Sequence, residues 1–158
     1  MHVVVDTNVP KTANGVDTPQ ASPRCITACN RTLAEIRSNH ILVVDDGWWI
    51  LREYMGQLNS SGQPGPGDAF LRWILLNQAN PRTVAQVAIT PNLNTASFDE
   101  FPLDSALLGF DSSDHKFVAV AFTHPQRPPI YNATDSDWWN YHAALAAHKL
   151  RIEDVCPD

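Results

Sequence analysis

The residues able to do chemistry in this chain are carboxylates placed where hydrophobic runs end. Asp6 follows Val3-Val4-Val5, Asp45 and Asp46 follow Ile41-Leu42-Val43-Val44, and Asp135 and Asp137 follow Ile130-Tyr131-Asn132-Ala133-Thr134. Two more acids lie between these runs. Glu53 falls roughly two turns into the segment that starts at Gly47, and Asp114 opens an apolar helix after Gly109-Phe110-Asp111-Ser112-Ser113. Carboxylates gathered at one place repel one another unless protons or a divalent cation compensate them. Hard oxygen donors in a cluster suit Mg²⁺ or Mn²⁺, which keep several waters and take few carboxylates plus a substrate phosphate. Each acid alone also has an ordinary explanation. Asp111 and Asp135 precede helices and read as caps, Asp6 can hold a turn, and Glu53 reads as a solvated helix residue. Only their convergence would make a metal site.

The elements that must position them can be read from local pattern. Val3-Val4-Val5, Ile41–Val44 and Ile130–Ala133 are short β-branched or apolar runs closed by polar turn formers, as expected of buried strands. Pro10 to Pro19 reads as a loop. Ser22-Pro23 gives an N-cap and first helical residue, and Ile26, Cys29, Leu33 and Ile36 follow at helical spacing to Asn39-His40. A second helix is predicted from about Gly47 to Leu58, with Trp49, Glu53 and Gln57 on one stripe and Trp48, Leu51, Met55 and Leu58 on the apolar face. Ser60–Gly67 is a linker, Asp68–Asn77 a helix, and Pro91–Pro102 irregular. A helix runs from Asp114 to about Thr123, and a last one from Thr134 to near His148. Leu150-Arg151-Ile152 is a candidate fourth strand. Alternating strands and helices predict an α/β protein, a three-layer α/β/α sandwich around a parallel sheet, formed as a single domain over residues 1–158. In such sheets ligands bind beyond the carboxyl ends of the strands, which is where these acids fall.

These residues carry a resemblance to the PIN-domain family. Val3-Val4-Val5-Asp6-Thr7-Asn8 resembles the family's opening strand with Asp-Thr-Asn. Glu53 matches its Glu in the helix after the second strand. Asp114 followed by His115-Lys116-Phe117-Val118-Ala119-Val120-Ala121 resembles its Asp before an Ala-rich helix, and Thr134-Asp135-Ser136-Asp137-Trp138 its Thr and Asp-x-Asp segment. The likeness spans residues 3 to 138. The polar Pro10–Pro19 loop and the long Ser60–Gly67 and Pro91–Pro102 segments depart from the compact toxin members.

The resemblance implies a metal-dependent endoribonuclease that cuts mainly single-stranded RNA, with Asp6, Glu53, Asp114 and Asp135 as the acidic quartet around Mg²⁺ or Mn²⁺. Asp137 would be an accessory ligand. Asn8 and Thr134 would orient carboxylates or substrate, and Asp111 would cap. The implied partners are RNA, a small antitoxin-like protein and a second copy in a homodimer. The alternative is a PIN-fold RNA-binding or scaffold module that cuts little or nothing. A phosphatase-like hydrolase is a weaker third reading, since Asn8 stands where that class carries a second Asp. Lys11, Arg52, Lys116 and Arg127 are candidate phosphate contacts, Trp48 and Trp138 candidate base-stacking residues, and His115 a candidate leaving-group contact.

Composition bears on these expectations. Eleven Lys and Arg against 17 Asp and Glu give the 158-residue chain a net charge of -6, which weighs against nucleic acid, whose footprint is a basic patch. Two divalent ions at a shared acidic site would take -6 to -2, so binding is expected to depend on metal. No apolar run approaches the roughly 18 residues of a membrane span, and Met1–Asp6 does not read as a signal peptide, so a cytoplasmic protein is expected. Cys25, Cys29 and Cys156 are odd in number and read as reduced thiols. Cys25 and Cys29 share a helix face without a matching zinc pair, and so read as small core residues rather than ligands.

Overall fold

Three consecutive valines make β1 (His2–Val5), and all three are fully buried. A β-branched run of this kind fits only where helices cover both faces of the sheet, at its centre. The computed structural model describes residues 1–156, and in it β1 lies between β2 (Ile41–Asp45) and β6 (Ile130–Asn132), parallel to both. β3 (Val84–Val87) extends the sheet beyond β2, and β7 (Ile152–Asp154) extends it beyond β6, again in parallel. The order β3-β2-β1-β6-β7 is a five-stranded parallel sheet. The chain builds outward from β1 on one side, then returns to build outward on the other. The reversal falls between β1 and β6, and the crevice it opens lies beyond their carboxyl ends.

Helices cover both faces, giving the expected three-layer α/β/α sandwich. α1 (Asn8–Asn14), α2 (Pro23–Asn39) and α4 (Pro66–Asn77) pack on one another, while α5 (His115–Thr123) lies on β1, β2 and β6 with α3 (Trp49–Gln57) beside it. The Ser22 hydroxyl caps α2 by accepting the Cys25 N–H at 3.1 Å, as its sequence predicts. The core runs from Val3–Val5 through Leu42–Val44, Tyr54, Phe70 and Ile74 to Phe117–Ala121 and Ile130. Among the described residues no helix is long and apolar enough to cross a membrane.

Several local expectations are corrected. Pro10 does not open a loop; it sits in the first turn of α1, where a missing N–H costs nothing. Gly15, at φ 70°, ends that helix with its N–H on Thr12 O. β3 is a fifth strand the pattern did not announce. The irregular Pro91–Pro102 stretch contains a short antiparallel pair, β4 (Pro91–Asn92) and β5 (Ser97–Phe98). The last helix breaks at Tyr141 into α6 (Ser136–Asn140) and α7 (His142–Ala146). The edge strand begins at Ile152, not Leu150. On α3 the buried face is Ile50, Leu51 and Tyr54, and Trp48 lies outside it at φ 66°. The cysteines are not all thiols: Cys25 and Cys156 form a disulfide across 131 residues, because β7 carries the chain end back over the first turn of α2. Cys29 is free and buried, and burial pushes its thiol up to about 12.

Candidate metal centre

Asp6 stands one residue beyond β1, 4% exposed, so its carboxylate must find donors inside the protein. The Asn8 backbone N–H donates to its Oδ1 at 2.8 Å, and the Trp138 indole Nε1–H donates to its Oδ2 at 2.6 Å. Trp138 is fully buried and wedged edge-on against Phe110 and Phe117, which fixes the direction of that N–H. Its expected role in stacking on bases is therefore corrected: the ring cannot reach RNA, and its polar edge serves Asp6 instead.

Asp114 reaches the same place from the sheet's α5 side. It ends a single 3₁₀ turn, Ser112–Asp114, and stands at the N-cap position of α5, buried. Asp135 follows β6 and caps α6, its Oδ1 accepting the Asp137 N–H at 2.9 Å. One carboxylate oxygen from each of Asp6, Asp114 and Asp135 lies within 4.8 Å of the other two. Three acids distributed over the chain thus meet at the crevice where the strand order reverses.

The other predicted residues surround this trio in distinct ways. Glu53 is held by the Thr7 hydroxyl and by Lys116, whose Nζ is 2.8 Å from Glu53 Oε1. Its charge reaches both Asp6 and Asp114, but it is not one of the three converging acids. Asp137 supplies a backbone N–H to Asp135, and its carboxylate also lies outside the trio. Asp111 is exposed and caps the 3₁₀ turn through the Ser113 N–H at 3.0 Å, which is the capping role its sequence suggests. Asn8 ties the two strand ends together: its Nδ2 donates to Asn132 Oδ1 at 2.9 Å, and its Oδ1 accepts the Ala133 N–H at 2.8 Å. Thr134 lines the cleft beside Asp135.

Sequence reading missed Asn132, the residue that organises this end of the sheet. Its Oδ1 accepts from Asp135 N, and its Nδ2 donates to Asp135 O at 3.1 Å and to Asp154 Oδ1 at 2.9 Å. The available signal was a polar residue inside an otherwise apolar strand, buried to 3%. Thr7 and Trp138 were likewise adjacent to predicted acids without being assigned to them.

The basic residues are mostly committed elsewhere. Arg127 precedes β6, at the opposite end of that strand from the acids. It donates to His148 O at 2.7 Å and lies over the Phe122 ring, so its expected phosphate contact is corrected. Lys11 bonds Gln57, and Arg52 lies over Trp49. His115 is not free to touch a leaving group. Its ring stacks on Phe101, its Nδ1 is 2.7 Å from Ser97 Oγ and its Nε2 is 3.1 Å from Phe110 O, so it pins the β4–β5 hairpin to α5.

Burial and mutual repulsion raise the pKa values of the two buried acids. Asp6 is pushed up to about 7, first by loss of water and then by the charges of Glu53 and Asp135, against the opposing bonds from Asn8 and Trp138. Asp114 is pushed up to about 8 by burial, then by Asp6, Asp135, Asp111 and Glu53. A cluster of buried carboxylates that resists ionising alone is a fitting place for a hard divalent cation. With one oxygen of each within 4.8 Å of the other two, the trio could hold a metal ion, and its all-oxygen donor set is of the kind that suits a hard divalent cation.

The Trp138 bond leads to a direct expectation. Trp138→Phe keeps most of the ring but leaves Asp6 Oδ2 without its donor. A stability loss of about 1–3 kcal/mol in denaturant melts is expected. A roughly 10–100-fold fall in Mn²⁺ affinity by calorimetry should accompany it. Unchanged Mn²⁺ affinity would show that the indole does not position the carboxylate.

Fold and site together define a class: a parallel α/β fold with a carboxylate trio, two members buried and Asp135 half-buried, at the point where its strand order reverses. No protein family, no characterised protein and no solved structure matches the chain.

Proposed function

We propose that the protein is a metal-dependent ribonuclease of the PIN-like class, hydrolysing phosphodiester bonds of mainly single-stranded RNA with Mg²⁺ or Mn²⁺. The observation that carries this reading is the convergence of Asp6, Asp114 and Asp135 within 4.8 Å beyond the central strands. Those three would hold the ion. When bound, it supplies a water of lowered pKa and positive charge against the phosphate. Trp138 and the Asn8 N–H aim Asp6, while Asn132 sets the backbone that carries Asp135. Glu53, fixed by Thr7 and Lys116, adds a further negative charge that reaches Asp6 and Asp114. Lys116 is the cation best placed to meet a phosphate, because Glu53 already draws it to this edge. RNA is the partner class and the cytoplasm the compartment in this reading. The toxin version would arrest growth on expression, with relief by a neighbouring small protein, and a homodimer would supply a groove.

The test is cleavage of a mixed-sequence single-stranded RNA with Mn²⁺ by the wild type and by Asp6→Asn. A loss of at least about 100-fold in the variant is expected, matching the loss on chelation. Equal rates in both would overturn the assignment. RNA bound by the wild type without cleavage would instead identify a binding module.

A further inference from the structure

Beside the carboxylate cleft, three sulfurs meet from two distant parts of the chain. Cys25 and Cys29 lie one turn apart on α2, on its buried face, and Cys156 arrives just after β7. All three Sγ atoms lie within 4.8 Å of one another. The disulfide joins Cys25 to Cys156 and leaves Cys29 Sγ 3.9 Å from Cys156 Sγ. Thiolates bind zinc at about 2.3 Å, which puts sulfurs around a tetrahedral ion about 3.8 Å apart. The free thiol therefore already stands at ligand spacing. Cys25 and Cys156 line the wall of a cleft of about 500 Å³ that also holds Thr134, Asp135 and Asp154, giving an ion a way in and room for a fourth ligand.

We infer that Cys25, Cys29 and Cys156, when reduced, form a three-thiolate site for one thiophilic d¹⁰ cation, Zn²⁺ or Cu⁺. The Cys25–Cys156 disulfide is the oxidised, metal-free form of the same cluster. A dithiol opens that bond by giving two electrons and two protons, leaving as its own disulfide, and Cys25 and Cys156 become thiols. Coordination then releases up to three thiol protons to solvent. Thiolates hold Zn²⁺ and Cu⁺ more tightly than carboxylates do, whereas Mg²⁺ and Mn²⁺ favour the carboxylates, so this site and the acidic trio prefer different ions. They are neighbours: Asp154, two residues before Cys156, holds Asn132, which in turn holds Asp135 and Asn8.

The test uses the full chain reduced with a phosphine under anaerobic conditions. Cd²⁺ serves as the spectroscopic stand-in for Zn²⁺, and Cu⁺ is titrated separately against a coloured chelator. One ion per chain at the sulfurs, sulfur-to-metal charge-transfer absorption of the intensity of three bound thiolates, and ion-dependent protection of Cys25 and Cys156 from alkylation are expected. Cys29→Ser should weaken binding by about tenfold or more, whereas Asp6→Asn should leave it unchanged. The arm with the tighter binding names the ion. No charge transfer in the reduced wild type, an absorption intensity that matches only two bound thiolates, or equal affinity in Cys29→Ser would each overturn the site. The wild-type charge-transfer intensity, which counts the bound thiolates, decides the matter even where Cys29→Ser fails to fold, because buried Cys29 resists alkylation with or without an ion. None of these readings depends on RNA cleavage.

Discussion

Asp114→Asn is expected to raise the melting temperature of the metal-free protein at pH 8 by about 4–8 °C while ending Mn²⁺ binding. The cause is the raised pKa of Asp6 and Asp114. In the unfolded chain these acids lose their protons near pH 4, whereas in the fold Asp6 holds its proton to about 7 and Asp114 to about 8. Between those limits the unfolded chain binds fewer protons than the native one, so stability falls as pH rises and levels off above pH 8. A tenfold change in proton affinity is worth about 1.4 kcal/mol. With the cleft edge open to water, relief at one site amounts to about 2 kcal/mol, which for a chain of this size is about 4–8 °C. The neutral amide keeps the shape and removes the charge that Asp6, Asp135, Asp111 and Glu53 repel. Thermal melts in chelator at pH 5 and pH 8 check the sign. The wild type should be less stable at pH 8 than at pH 5, and Mn²⁺ should raise its melting temperature more at pH 8. A variant less stable than wild type at pH 8 without metal would show that Asp114 is not held against its neighbours' charge.

Cys156→Ser is the second large change, and it acts through the unfolded chain. The Cys25–Cys156 bond spans 131 residues, and closing a loop of that size removes enough freedom from the unfolded state to stabilise the fold by about 3–5 kcal/mol. β7 depends on this bond more than other strands do, because it is three residues long and pairs only with β6. A denaturant melt of the oxidised wild type against the variant, both free of added metal, should show that loss together with a steeper slope, because the unfolded chain without the crosslink exposes more surface. Loosening of β7 also frees Asp154 from Asn132, so Mn²⁺ affinity should fall with it. Equal stability would mean that sheet pairing and the Val155 N–H to Asn132 O bond of 2.8 Å secure the chain end by themselves.

Much of the frame was legible locally. β1, β2 and β6 are short apolar runs ended by polar residues, and Ser22-Pro23 marks the start of α2, so their positions follow from propensity and capping without any long-range information. β3 was not legible, because Val84-Ala85-Gln86-Val87 is a short, mixed run that becomes a strand only by pairing with β2. α1 was hidden by Pro10, which breaks helices in their interior but not in their first turn.

The site divides in the same way. The chain by itself determined which acids stand at strand ends, because a buried strand must stop at residues that can face water or a ligand. Residue types and spacing did not rank them; the family resemblance set Asp6, Glu53, Asp114 and Asp135 apart from an accessory Asp137, and the reversal of strand order between β1 and β6 brings Asp6, Asp114 and Asp135 together with Glu53 outside them. Trp138 reads from sequence as a candidate base-stacking residue, and only the packing of Phe110 and Phe117 shows its N–H turned toward Asp6, 132 residues away. The cysteines show the limit most plainly. Local spacing could place Cys25 and Cys29 on one face, but Cys156 joins them through the sheet edge, and no periodicity of the chain encodes which strand becomes that edge.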